Sequence, residues 1–301
     1  MRALRLLPVA VAVGVAAACS KDDVTNPSRP PLAGVRYIHA VNDTSRLDFK
    51  MVDQVTYSAN TIDSAGGLRY RQASRYFPTE AKARRIRVFN YYDVPSTGAT
   101  PNTRPPEVVS QIFVDTTITF EANKNYSLLL VGSARAAAGS ADRLRFVVIE
   151  DTPPAVDTNV VHVRVINANT GAPISASVAG SGLASPVIVA SVNDRALSAY
   201  AAVPKGTMTA TVTPSGAATP ALAAVVADTG VAGNSSFNPV AGSRRGGTAF
   251  SLYVFAPGVA GSGVFLNPAG NVLGTAVATS FRTTGAQLFV DRLPPSTVPN
   301  P

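Results

Sequence analysis

The chain has 301 residues, a formal net charge of +8 from 26 Lys and Arg against 18 Asp and Glu, and only 15% charged residues beside 46% hydrophobic ones. A single Cys and two His exclude a disulfide framework and a cysteine- or histidine-based metal cluster. Plentiful apolar residues with sparse charge exclude a disordered chain, and the length suits about two domains.

At the N-terminus, Arg2 and Arg5 form a short positive region, and Leu6 to Ala18 an apolar run. That run is too short to span a bilayer, which takes ~20 residues. Ala16-Ala17-Ala18 then lead into Cys19, the sole Cys of the chain. Small residues ahead of a cleavage point suit a signal peptidase. With Cys19 next, the segment resembles a bacterial lipobox, departing from it at Ala16, where Leu is commoner. The resemblance implies a lipoprotein signal peptide over 1–18 and lipid attachment at Cys19, which anchors the mature chain to a membrane. Ser20 in place of Asp points to the outer membrane, facing the periplasm or the cell surface. Residues 19–34, polar and holding three prolines, read as a flexible tether.

From residue 35 the pattern changes to short stretches of period-two alternation. Val35–His39, Ile86–Phe89, Ile118–Phe120, Tyr126–Val131 and Arg145–Ile149 are predicted strands of the first half. Val161–Ile166, Ser185–Val192, Met208–Thr213, Phe250–Phe255 and Gln287–Val290 are those of the second. Ala81–Arg85 has helix propensity without an apolar stripe and reads as a turn leading into a strand. Ala221–Ala227 is the most helix-like run, against its Val225-Val226 pair.

The halves align on three blocks. Val35-Arg36-Tyr37-Ile38 matches Val163-Arg164-Val165-Ile166, and Tyr126-Ser127-Leu128 matches Phe250-Ser251-Leu252. Val148 to Pro154 matches Phe289 to Pro295, which sets Asp151 opposite Arg292. The expected fold is therefore all-β, with two tandem immunoglobulin-like or transthyretin-like antiparallel β-sandwich domains over 33–155 and 160–295, a joint at Asp151–Asn159 and a disordered tail at 296–301.

Val-Arg-x-Ile opening each repeat, a Leu47-Asp48-Phe49 or Ile174-Ser175-Ala176 strand after it, and the closing Tyr/Phe-Ser-Leu block carry a family likeness. The mature chain resembles domain of unknown function 4397, found as tandem repeats in exported bacterial proteins. Members carry Asn-Ala-Ser-Pro-Asp-Ala-Pro after the first strand. Here His39-Ala40-Val41-Asn42-Asp43 keeps only the Asp, and Asn167-Ala168-Asn169-Thr170-Gly171 lacks it. The family has no established catalytic residues, so the resemblance assigns none.

Little in the sequence points to catalysis. His39 and His162 sit at non-equivalent repeat positions, and no Gly-x-Ser-x-Gly elbow accompanies them. The carboxylate pairs Asp43 with Asp48, Asp115 with Glu121 and Glu150 with Asp151 are not repeated as pairs in the second half. Neither a calcium loop nor a phosphate-cradling motif is present, so no metal and no cofactor is expected. The one uneven feature is basic: Arg69, Arg71, Arg75, Lys82, Arg84, Arg85 and Arg87, with Tyr70 and Tyr76 between them and Glu80 alone opposing. Cations with interleaved aromatics can hold an anionic polymer. Alternating arginines are also what a half-buried strand shows to solvent.

The expected protein is a non-enzymatic, lipid-anchored envelope component. It presents its sandwiches to an envelope polymer or protein, with no nucleic acid involved. Two rivals stand beside it: a polysaccharide-binding module using Arg69, Tyr70, Arg71, Arg75, Tyr76, Arg84, Arg85 and Arg87, and a hydrolase of an envelope polymer.

Overall fold

The computed structural model describes residues 30–44, 46–53, 67–90, 112–136, 140–217, 221–259, 265–266, 272–273 and 281–297. The leader, Cys19 and the tether before Pro30 lie outside the described residues, as does the tail beyond Thr297. Every regular element among them is a strand.

The first half contains β1 (Leu32–His39), β2 (Arg46–Met51), β3 (Leu68–Arg69), β4 (Phe77–Glu80), β5 (Ala83–Asn90), β6 (Ile112–Thr119), β7 (Asn125–Val131) and β8 (Arg145–Glu150). They form two four-stranded sheets, ordered β4-β1-β7-β8 and β3-β2-β5-β6. The second half contains β9 (Val160–Ala168), β10 (Ile174–Gly180), β11 (Val187–Val192), β12 (Ala201–Pro204), β13 (Met208–Pro214), β14 (Ala223–Val226) and β15 (Ala249–Phe255). A small hairpin, β16 (Phe265–Leu266) with β17 (Val272–Leu273), precedes β18 (Gly285–Arg292). The sheets are β12-β9-β15-β18 and β11-β10-β13-β14.

The strand order thus recurs from one half to the other. Among the described strands, pairing is antiparallel except for one parallel pair per half, β1 with β7 and β9 with β15. Ala81-Lys82 does form the turn leading into β5, and the helix-like Ala221–Ala227 run is instead the edge strand β14. Its β-branched Val225 and Val226 suit the pleated surface better than a helix.

Each half buries its own core. Val35, Tyr37, Leu128 and Leu130 of one sheet meet Leu47, Phe49, Ile86 and Val88 of the other. In the second half, Val161, Val163, Leu252 and Val254 meet Ile174, Ala176, Ala210 and Val212. A third core joins the halves: Ile38, Leu129, Val131 and Ile149 face Ile166, Tyr253, Phe255 and Phe289. The four sheets are therefore layered. β1, β7, β9 and β15 are buried on both faces almost throughout, as strands covered on two sides must be. Strands of the outer sheets, such as β10 and β13, keep the one-sided alternation.

Both halves begin and end at one pole. Gly34 near the start of β1 pairs with Asn125, whose carbonyl accepts the Asp151 N–H just past β8. Ala249 pairs with both His162, near the start of β9, and Arg292, at the end of β18. Arg292 also donates to the Pro154 carbonyl of the linker.

Candidate functional site

The strongest concentration of polar chemistry lies between the two inner sheets. Arg36 of β1 and Arg164 of β9 point away from their own cores, because their neighbours Val35, Tyr37, Val163 and Val165 point in. Each arginine crosses to the other half. Arg36 is paired with Asp291 and donates to the Val290 carbonyl at 2.9 Å, and Arg164 is paired with Asp151. The side chains of these four residues are at most 3% exposed.

Each carboxylate is also held by its own half. Ser127 Oγ and the Tyr76 hydroxyl each donate to Asp151 Oδ2 at 2.6 Å. Ser251 Oγ and the Tyr200 hydroxyl donate to Asp291 Oδ2 at 2.6 and 2.7 Å. The serines in turn accept from Arg36 Nε and Arg164 Nε, both at 2.7 Å. Tyr76 stacks under the Arg36 guanidinium at 4.6 Å and Tyr200 under that of Arg164 at 4.8 Å. Burial works against the Arg36 charge, but Tyr253, Asp291, Tyr76 and Asp151 outweigh it, so Arg36 holds its proton more tightly than a free arginine. Burial also raises the Tyr76 and Tyr200 hydroxyls, which therefore stay protonated and donate.

The equivalences correct the alignment of the third block. Ser127 pairs with Ile149 and Ser251 with Phe289, so Asp151 matches Asp291 rather than Arg292. A register shift between Ala249 and Phe250 takes up the extra residue.

A second pair of arginines crosses at the opposite pole. Arg71 and Arg195 both adopt left-handed backbone, with φ of 66° and 60°. Arg71 Nη2 donates to the carbonyls of Ala256 at 2.8 Å, Phe281 at 3.1 Å and Thr283. Arg195 donates to Asp142 of the first half at 3.1 Å and to Asn169 at 2.8 Å. Ser74 and Ser198, three residues on, accept from the N–H groups of Tyr37 and Val165, both at 2.9 Å.

The basic run from Arg69 to Arg87 is thereby divided among several places and does not form one face. Tyr70 and Arg71 are buried against the second half, where the Tyr70 hydroxyl donates to the Ala256 carbonyl at 2.5 Å. Tyr76 belongs to the crossed cluster. Arg84 is 2% exposed and lies between Glu80 at 3.3 Å and Asp53 at 3.4 Å. Arg85 and Arg87 converge on Asp115, at 2.7 and 2.9 Å. Arg69 and Arg75 stand exposed, as does Lys82, which is paired with Glu80 at 2.5 Å. The run looked continuous because alternation shows which side chains leave the core, not what covers them outside.

The remaining candidates serve loops. His39 is fully buried: Nδ1 accepts the Val41 N–H at 3.2 Å and Nε2 meets Thr44 Oγ1 at 3.1 Å. Burial pushes its pKa down to about 3. Asn167 does the equivalent work in the second half, accepting from Thr170 and donating to the Ala172 carbonyl. Asp43 accepts from Ser133 Oγ and from the N–H groups of Ala134 and Arg135. An open groove of about 430 Å³ runs past Leu32, Phe77, Pro78, Asn123 and Asn125. Its Lys124 ammonium is held by Glu121 at 2.8 Å and Glu150 at 3.0 Å.

A repeated motif marks these positions in the sequence: Arg71-Gln-Ala-Ser74-Arg-Tyr76 and Arg195-Ala-Leu-Ser198-Ala-Tyr200 share Arg-x-x-Ser-x-Tyr. With Arg36, Ser127 and Asp151, or Arg164, Ser251 and Asp291, it supplies one full set of cluster residues per half. Four charges that cancel in pairs, sealed from water, are suited to fixing two sheets in one register rather than to moving protons.

Among solved structures the chain resembles a leucine-rich repeat protein from Bacteroides thetaiotaomicron VPI-5482, with 11% identity and a TM-score of 0.16, over 66% of this chain and 24% of that one. The chain thus spans about a quarter of that protein. A protein provisionally described as a cell adhesion protein, from Parabacteroides distasonis ATCC 8503, shows 9% identity and a TM-score of 0.20, over 86% of this chain and 98% of that one. CBMbc (family CBM26) of Eubacterium rectale Amy13K, in complex with maltoheptaose, shows 12% identity and a TM-score of 0.20, over 83% and 99%. TM-scores this low transfer no function. No curated protein matches the sequence. The profile of the family described as domain of unknown function (DUF4397) matches residues 33–174, a span that includes Arg36, Asp151 and Arg164. Over that segment the chain matches the DUF4397 family, the family that its sequence resembles.

Proposed function

We propose that this chain is a lipid-anchored component of the bacterial cell envelope with a non-catalytic role, presenting two sandwiches as one stiff body to an envelope polymer or protein. The observation that carries the reading is the crossed cluster. The polar residues that could have served chemistry, Arg36, Tyr76, Asp151, Arg164, Tyr200 and Asp291, are spent on joining the halves. The same holds for His39 and Asp43, whose polar atoms tie down loops. The N-terminal Arg2, Arg5, apolar run and Cys19 support the anchor, and the seat of the lipid is the Cys19 sulfur.

The test has two parts. The intact mass of membrane-extracted protein should fit a chain starting at Cys19 plus acyl groups, and a Cys19→Ala variant should lose them. A chain without acyl groups, recovered from the medium, would overturn the anchor. Incubated with isolated envelope polymer, the protein should be retained without releasing soluble fragments. Time-dependent release of fragments would replace the binding role with hydrolysis.

A further inference from the structure

The two halves meet through a face that is complementary to itself. Each half contributes one arginine, one aspartate, one serine and one tyrosine: Arg36, Asp151, Ser127 and Tyr76, or Arg164, Asp291, Ser251 and Tyr200. Each arginine reaches the opposite half, while each serine and tyrosine supports the aspartate of its own half. This is the reciprocity of a two-fold interface, in which residue i meets j and j meets i. Arg71 and Arg195 repeat it at the other pole. The apolar centre obeys the same rule, with Ile38 and Ile166 of equivalent strands in one cluster.

Within one chain, the halves are covalently joined only by the segment after Asp151. Thr152 to Asn159 is without strand structure and mostly exposed. The contacts of the interface do not depend on that connection. The first half of one molecule and the second half of another offer the same groups in the same places.

We infer that the face between the halves is an exchangeable interaction surface whose partner is a second copy of this chain, giving a reciprocal dimer in which Arg36 of each molecule meets Asp291 of the other. A short linker holds the intramolecular partner at an effective concentration on the order of millimolar. The closed monomer therefore dominates in dilute solution, and exchange takes over when chains are crowded or the linker is shortened.

Two full-length variants with different tags test this. Arg36→Asp and Asp291→Arg each set like charges against one another within a single chain. Refolded together, one chain carrying Arg36→Asp and one carrying Asp291→Arg can restore one reversed and one native crossing, but only between molecules. The expected result is a complex captured by both tags, with twice the mass of one chain, that forms in the mixture and in neither variant alone. A single chain carrying both changes reports whether the reversed pair fits. If that chain folds as a monomer and the mixture gives no two-tag complex, the inference is overturned. If the doubly changed chain does not fold, a chain lacking residues 152–156 decides. Running at twice the monomer mass, it supports exchange; running as a folded monomer, it overturns it.

Discussion

The guanidinium of Arg71, on a loop of the first half, lies against the backbone of Gly285 at the start of β18 in the second: a Cβ on Gly285 would overlap Nη1. The glycine is therefore a site of close approach between the halves, chosen for the missing side chain rather than for backbone freedom. Gly285→Ala should expel the arginine or part the sheets locally. The expected loss is about 1–3 kcal/mol, the usual cost of overpacking, read as a lower urea midpoint. An unchanged midpoint would mean that Arg71 does not sit there.

Substituting the basic run one residue at a time separates its members. Arg71→Ala strands the Thr283 carbonyl and takes one of two donors from those of Ala256, which keeps Tyr70, and Phe281, which keeps the Gly258 N–H, and should cost about 1–3 kcal/mol. Arg75→Ala removes an exposed side chain and should stay within about 0.5 kcal/mol of the parent. Equal losses at the two positions in chemical denaturation would contradict the division of the run.

The crossed cluster makes a sharper demand. Arg36→Ala leaves the buried Asp291 only the more distant Arg164, at 3.7 Å, and Asp291→Ala leaves Arg36 only Asp151, at 4.0 Å. Each should cost about 3–5 kcal/mol. The double variant should cost far less than the sum, because the second change removes the charge that the first one left poorly paired. Additive losses across the cycle would show that the two residues do not interact.

Acid should weaken the fold partly through His39. Its pKa in the folded chain is about 3, below the ordinary 6.5, so the unfolded chain takes up the proton first. The contribution is complete above pH 6.5 and is lost as the pH falls toward 3, at roughly 1.4 kcal/mol per pH unit. Asn167 holds the equivalent loop without titrating. His39→Asn should therefore flatten the stability profile between pH 6 and 4, measured by denaturant midpoints of both proteins. Parallel profiles would remove His39 as the cause.

The strands were readable in the sequence because alternation is a local property: Ile174-Ser175-Ala176-Ser177-Val178 shows which residues face a core without reference to anything distant. The layering was not. Val35 to Ala40 and Tyr126 to Val131 carry too few polar residues for a one-sided strand, and this excess is the mark of a second covered face. Arg36 and Arg164 broke the runs and obscured it. A charged residue in a strand suggests solvent, and only its partner across the interface, far away in sequence, reverses that meaning. The register of the third block slipped for a similar reason. One extra residue opposite Ala249 cannot be seen without the neighbouring strand, and with it went the equivalence of Asp151 and Asp291.

The placement of β1 has a mechanical consequence. The first strand of the described fold lies inside its sheet, between β4 and β7, and is paired in parallel with β7 from Gly34 to His39. A pull on the chain ahead of Leu32, resisted at the far pole, runs along the strand axis. It loads the ladder bonds on both sides of β1 together, in shear, instead of opening them one after another from an edge. β9, held between β12 and β15, meets tension from the linker in the same way.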